Sequence, residues 1–230
     1  MKVKLISYSQ AVDFQNYGIV DQQEEDITAQ DLVAFCARVS NPSNQMNTQT
    51  SERLLKYLIR HKHWSPFEMV SACLEIETTR DIAHQIVRHR SFAFQEFSQR
   101  YANPAEFGEQ FVVRDARLQD EKNRQNSIDT DDPELAAHWI HKQKTVIETA
   151  KAAYEWAIDN GIAKEQARVV LPEGCTKTRL YMNGSLRSWI HYIELRGANG
   201  TQKEHMDIAH ECAKVVAKIF PNIMNFVNEG

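Results

Sequence analysis

Apolar and polar positions alternate over Lys2–Tyr8, with Val3, Leu5 and Ser7 opposite Lys2, Lys4 and Ile6, and this predicts a strand. Thr28 to Asp31 has the form of a helix N-cap box. It precedes Leu32, Val33, Phe35, Cys36 and Val39, an apolar stripe at helical spacing that Asn41-Pro42-Ser43-Asn44 interrupts. Leu54, Leu55, Leu58 and Ile59 carry a second amphipathic helix over 51–62. The pattern switches to period two over 67–78, where Val70, Ala72, Leu74 and Ile76 alternate with Ser71, Cys73, Glu75 and Glu77: a strand. Helical period returns over 80–89. Ile82, Ala83, Ile86 and Val87 share one face, and His84, Gln85 and Arg88 fall on the other. Arg90 would rotate back onto the apolar face, so either the helix stops near His89 or Arg90 is held in an interface.

Further on, 115–134 holds seven acids and three bases among few apolar residues and reads as a solvated surface insertion. Pro133-Glu134 then opens a long helix that Asn160-Gly161 ends. Helices are expected over 164–171, 185–195 and 202–220, and a strand over 176–182. The order is α+β with helices dominant, not the strict alternation of a doubly wound sheet. At 230 residues one domain over the whole chain suffices, and a sizeable core can be buried.

Composition narrows the function. The net charge of −4 leaves no basic field to grip duplex nucleic acid, so any anion site is local and no nucleic-acid partner is expected. Neither GxGxxG nor GxxxxGK[ST] occurs, which weakens the Rossmann and P-loop readings. The four cysteines, at 36, 73, 175 and 212, form no CxxC and no dense disulfide pattern, so a reducing compartment is the default. The N-terminus lacks a signal-like apolar stretch and no run is long enough to span a bilayer; a cytoplasmic protein without a membrane partner is expected. His138 and His141 stand three apart on the long helix, but no third ligand joins them, and no metal site is expected.

Polar chemistry concentrates in 84–101, where three arginines, two histidines and one acid interleave with Phe92, Phe94, Phe97 and Tyr101. Arginine forks suit phosphate oxygens, and the aromatic residues could offer stacking surfaces. Ion pairs at a solvated helix end, or a groove for a single strand, are the generic alternatives. Ser98 has an acid nearby at Glu96 but no evident His–acid relay, so it reads as a hydrogen-bond donor rather than a nucleophile.

The spacing singles out one family. Arg88-His89-Arg90, seven residues and Ser98 form an RHR-x7-S motif that resembles the flavin-dependent thymidylate synthases. Glu96 and Arg100-Tyr101 sit where that family places them. Upstream, His63-Trp64-Ser65-Pro66-Phe67-Glu68 is similar to its H-x-T/S-P-F-E segment. Downstream, Ala167-Arg168-Val169-Val170-Leu171-Pro172 is similar to its A-R-x-x-L-P segment, followed by Leu186-Arg187-Ser188, Leu195-Arg196 and Gln202. Departures fall at Ala93, Gln95 and His191, where many members carry Ser, Asn and Asn. The resemblance implies a mixed α+β subunit of a homotetramer with shared active sites, converting dUMP to dTMP. Methylenetetrahydrofolate would donate the one-carbon unit, and FAD reduced by NADPH the hydride. It further implies that Gln85, Arg88, Glu96, Phe97, Ser98, Gln99, Arg100, Arg168 and Arg196 contact dUMP. Ser65, Arg88, His89, Arg90, Glu96, Ser185, Arg187 and His191 would contact FAD, and Arg196 would activate the uracil ring.

Overall fold

The computed structural model describes residues 2–12 and 27–227. Four antiparallel strands form the main sheet: β1 (Lys2–Tyr8), β2 (Ser71–Thr79), β3 (Ala93–Glu96) and β6 (Lys177–Ser185), in the order β1-β2-β6-β3. The long β2–β6 ladder pairs Ser71 with Ser185 at one end and Thr79 with Lys177 at the other. Strict alternation follows from covering one face only. Ala72, Leu74, Ile76, Leu180 and Met182 are buried beneath helices, while Lys4, Glu75, Glu77, Arg179 and Tyr181 line the opposite face in a charged network.

The covering layer comprises α1 (Ala29–Ala37), α2 (Ser51–Arg60), α3 (Arg80–Ile86), α6 (Leu186–Arg196) and α7 (Lys203–Val216). Thr28 caps α1 by the predicted box: its hydroxyl accepts from the Asp31 amide, and the Asp31 carboxylate accepts from the Thr28 amide. Trp189 of α6 is fully buried on the sheet and donates its indole N–H to the Ala72 carbonyl. A smaller cluster, Tyr154, Ala157, Ala167 and Leu171, joins α4 (Pro133–Asp159) to α5 (Lys164–Ala167) and the 3-10 turn Arg168–Val170.

Three sequence expectations change. Phe67 belongs not to a strand but to the 3-10 turn Ser65–Glu68, which Pro66 opens. The helix over 80–89 stops at Ile86, because tight turns must bring Ala93–Glu96 back to pair with β6. Arg90 therefore leaves the helix in an exposed turn and needs no interface to accommodate it. The helix expected over 164–171 ends at Ala167 and continues as the 3-10 turn Arg168–Val170, while within the acidic 115–134 insertion Arg117–Gln119 (β4) and Ser127–Asp129 (β5) pair as a hairpin.

Candidate active site

The arginine motif sits just past the C-terminal end of α3, where the helix dipole favours cations. Arg88 and Arg90 are exposed, and neither makes an ion pair with a described carboxylate. Between them His89 turns inward. The Arg196 Nε–H donates to His89 Nε2 at 2.9 Å, and the His89 ring meets Tyr192 edge-on at 5.0 Å. A guanidinium only donates, so His89 Nε2 carries no proton, and the neutral ring holds its proton on Nδ1. Burial, with Arg196 and Arg88 nearby, lowers the His89 pKa to about 4. Arg196 is thus fixed by one nitrogen while its terminal nitrogens stay available to a ligand.

Gln85 does not lie on a solvent face. Its side chain bridges α3 and α7: Nε2 donates to Gln202 Oε1 at 2.7 Å, and Oε1 lies 3.2 Å from His205 Nδ1. His205 is fully buried and also contacts the Tyr192 hydroxyl at 3.2 Å. Burial, then Arg196 and His89, drop its pKa to about 3. The sequence offers a signal for this residue, since His205 shares a stripe with Ile208 and Cys212 on α7. A histidine on an apolar stripe does not by itself reveal its partners.

Glu96 is engaged within the chain. Its Oε1 accepts from Thr178 Oγ1 at 2.8 Å and from Arg80 at 3.2 Å, while the Phe97 amide donates to the Arg179 carbonyl. Ser98 closes a turn in which its carbonyl accepts from Tyr101 and Ala102. Gln99 is buried, and its Nε2 has no hydrogen-bond partner. Arg100 pairs with Glu165 of α5 at 3.6 Å and Lys164 reaches the Tyr101 carbonyl. The turn therefore docks beside α5 and the half-buried Arg168 that follows it. Of the expected stacking aromatics, Phe92 packs 4.8 Å from Trp189 in the core and Phe94 packs against it. Tyr101 is well exposed.

A further group forms around the Ser65–Glu68 turn. Arg187 pairs with Glu68, and His191 meets Trp64 edge-on at 5.2 Å. Ser185 caps α6 by accepting from the Ser188 amide. One chain thus presents the expected residues in three groups: the α3 end with Arg196, the 98–101 turn with Arg168, and the Ser65–His191 turn and helix.

A cleft of about 650 Å³, lined among others by Thr79, Arg114 and Lys177, contains none of these residues. Several of its charges are paired across it, Arg117 with Glu204, Lys177 with Glu109 and Lys203 with Asp129. An anion gains more from the uncompensated guanidiniums of Arg88 and Arg90, so the arginine motif is the better candidate site. Among the described residues no cluster could hold a metal ion, and no helix is long and apolar enough to cross a membrane.

The family model described as "Thymidylate synthase complementing protein" matches residues 24–222. A protein of Paramecium bursaria Chlorella virus 1 named "Probable flavin-dependent thymidylate synthase" is 52% identical over 196 residues, covering 85% of this chain and 89% of the viral protein. A "Flavin-dependent thymidylate synthase" of Synechocystis sp. is 49% identical over 199 residues, covering 86% and 89%. Among solved structures, a UMP/dUMP methylase of Streptomyces cacaoi bound with 5-Br dUMP superposes with a TM-score of 0.77 at 26% identity, over 98% of this chain and 93% of that one. These likenesses define an enzyme of nucleotide methylation. The chain belongs to the flavin-dependent thymidylate synthase family.

Proposed function

We propose that this enzyme reductively methylates dUMP to dTMP, with methylenetetrahydrofolate as one-carbon donor and FAD, reduced by NADPH, as hydride source. The observation that carries the reading is the joint placement of Arg196, neutral His89 and the unpaired Arg88 and Arg90 at one end of α3. The donor set fits a dianionic dinucleotide cofactor, because Arg88 and Arg90 offer permanent charge without first breaking an internal pair. Arg88, His89 and Arg90 would hold FAD, together with Ser65, Glu96, Ser185, Arg187 and His191. Arg187 would exchange part of its contact with Glu68 to do so, and Ser185 would act while capping α6. Bound flavin supplies hydride chemistry that no side chain can.

The chain's own residues do the rest. Gln85, Arg88, Glu96, Phe97, Ser98, Gln99, Arg100 and Arg168 would bind and orient dUMP. Arg100 and Arg168 supply charge for its phosphate, and the buried Gln99 amide supplies an unused donor. Arg196 stabilises negative charge on the uracil ring, which raises nucleophilicity at C5. His89 accepts one Arg196 N–H and so fixes the guanidinium in advance, the preorganisation that makes such charges effective. His89 cannot compete as a base while Arg196 occupies its Nε2. The expected residues fall into three groups, and the homotetramer with shared sites is part of this proposal.

The test supplies purified enzyme with FAD, NADPH, methylenetetrahydrofolate and either dUMP or UMP, then separates the nucleotides. Formation of dTMP from dUMP is expected. A methylated ribonucleotide from UMP alone would shift the substrate assignment, and no product from either would contradict the proposal.

A further inference from the structure

Behind Gln85 runs a continuous chain of polar side chains with a definite direction. Arg117 on β4 donates to Glu204 Oε1; Gln202 Nε2 donates to Glu204 Oε2 at 3.0 Å. Gln85 Nε2 then meets Gln202 Oε1 at 2.7 Å, Gln85 Oε1 meets His205 Nδ1 at 3.2 Å, and His205 Nε2 meets the Tyr192 hydroxyl at 3.2 Å. Two glutamines, a histidine and a tyrosine can each donate or accept, so nothing in them fixes which way the chain runs. Glu204 differs: a carboxylate only accepts. It forces Gln202 to turn Nε2 toward it and Oε1 toward Gln85. Gln85 must then turn Nε2 toward Gln202 and Oε1 toward His205. His205 must carry its proton on Nδ1 and accept from Tyr192 on Nε2. The neighbouring groups agree: burial keeps Tyr192 protonated, and His205 is neutral.

We propose that Glu204, held by Arg117 of the β4–β5 hairpin, is the positioning residue that sets the orientation of the Gln85 amide, and thereby which edge of the uracil Gln85 reads. This rests on the reading of dUMP as substrate. With one N–H of Nε2 and one lone pair of Oε1 used internally, Gln85 presents its remaining donor on the Gln202 side and its remaining acceptor on the His205 side. It also gives the acidic 115–134 segment a role, because Arg117, only 14% exposed in its side chain, enters from that hairpin to anchor the chain.

Glu204→Gln preserves shape but reverses the logic. Arg117 only donates, so the new amide must give its oxygen to Arg117 and its nitrogen to Gln202. Every later member then inverts: Gln85 swaps ends, and the His205 proton moves from Nδ1 to Nε2, with Tyr192 turning its own proton away. The experiment records magic-angle-spinning NMR of the FAD-loaded enzyme labelled with ¹³C,¹⁵N-histidine. The His205 signals are identified by their loss in His205→Asn, and Kd for dUMP and for FAD is measured by calorimetry. Wild type should show His205 protonated on Nδ1. Glu204→Gln should show it on Nε2 and bind dUMP about tenfold more weakly, the value of about one hydrogen bond, with FAD affinity unchanged. A wild-type ring protonated on Nε2, an unchanged tautomer in Glu204→Gln, or a swapped tautomer with unaltered dUMP affinity would each overturn the proposal. The swap with no dUMP binding by wild type would overturn the substrate assignment while supporting the orienting chain.

Discussion

His89 shows how one contact fixes a protonation state. Its Nε2 accepts from Arg196 at 2.9 Å, so protonating the ring must expel that donor. His205 is buried between Gln85 and Tyr192, with both ring nitrogens in contact with them. Their pKa values are about 4 and about 3, both below an ordinary histidine near 6.5, so the unfolded chain takes up protons first as pH falls. Stability is therefore full above about pH 6.5 and declines as pH drops toward 4. Thermal melts at stepped pH should show Tm falling across that window. Replacing His205 with methionine should flatten the slope, and an identical slope in that variant would remove His205 from the explanation. At the same scale, Arg196→Ala should lower turnover by about 10²–10³-fold, the range for losing a preorganised charge donor. FAD affinity should stay nearly unchanged, because Arg88 and Arg90 remain. Turnover within a few-fold of wild type would deny Arg196 its role.

At the scale of elements, the strands and helices that bury one face were legible because burial imposes a period. β2 reads directly from Ala72, Leu74 and Ile76, and α1 from its cap box and stripe. β3 was not legible: four residues cannot establish a period, and its neighbour Phe92 reads as a ligand aromatic until Trp189 is seen beside it. The same packing explains Gly184. A Cβ there would lie 2.5 Å from Phe92 Cδ1, and that ring has little freedom to move away from Trp189. Gly184→Ala should cost about 1–3 kcal/mol by overpacking, read as a fall in urea midpoint with unchanged m-value. An unchanged midpoint would show that the ring yields freely. The arginine motif was legible through the resemblance of its ordered segments to one family. The partners of Gln85 were not, since Gln202 and His205 lie more than a hundred residues away and a glutamine amide leaves no periodic trace.

For the whole molecule, α4 leaves Trp139, Val146 and Trp156 about half exposed or more. Exposed tryptophans on one long helix fit a surface that another subunit covers. Sedimentation equilibrium should give four times the mass of the chain, and Val146→Lys with Trp156→Lys should shift it to smaller species with loss of turnover. A fully active wild-type monomer would contradict the shared site. The fold itself accounts for how the groups are offered: the β2–β6 ladder fixes α3 and α6, and these bring His89 and Arg196 together across 107 residues of sequence. The most direct test of the account uses dUMP carrying tritium at C5, with FAD, methylenetetrahydrofolate and the enzyme, with and without NADPH. Tritium release accompanied by dTMP, both dependent on NADPH, is the predicted result. A folded enzyme saturated with FAD that yields dTMP equally well without NADPH, or yields neither signal with it, would contradict it.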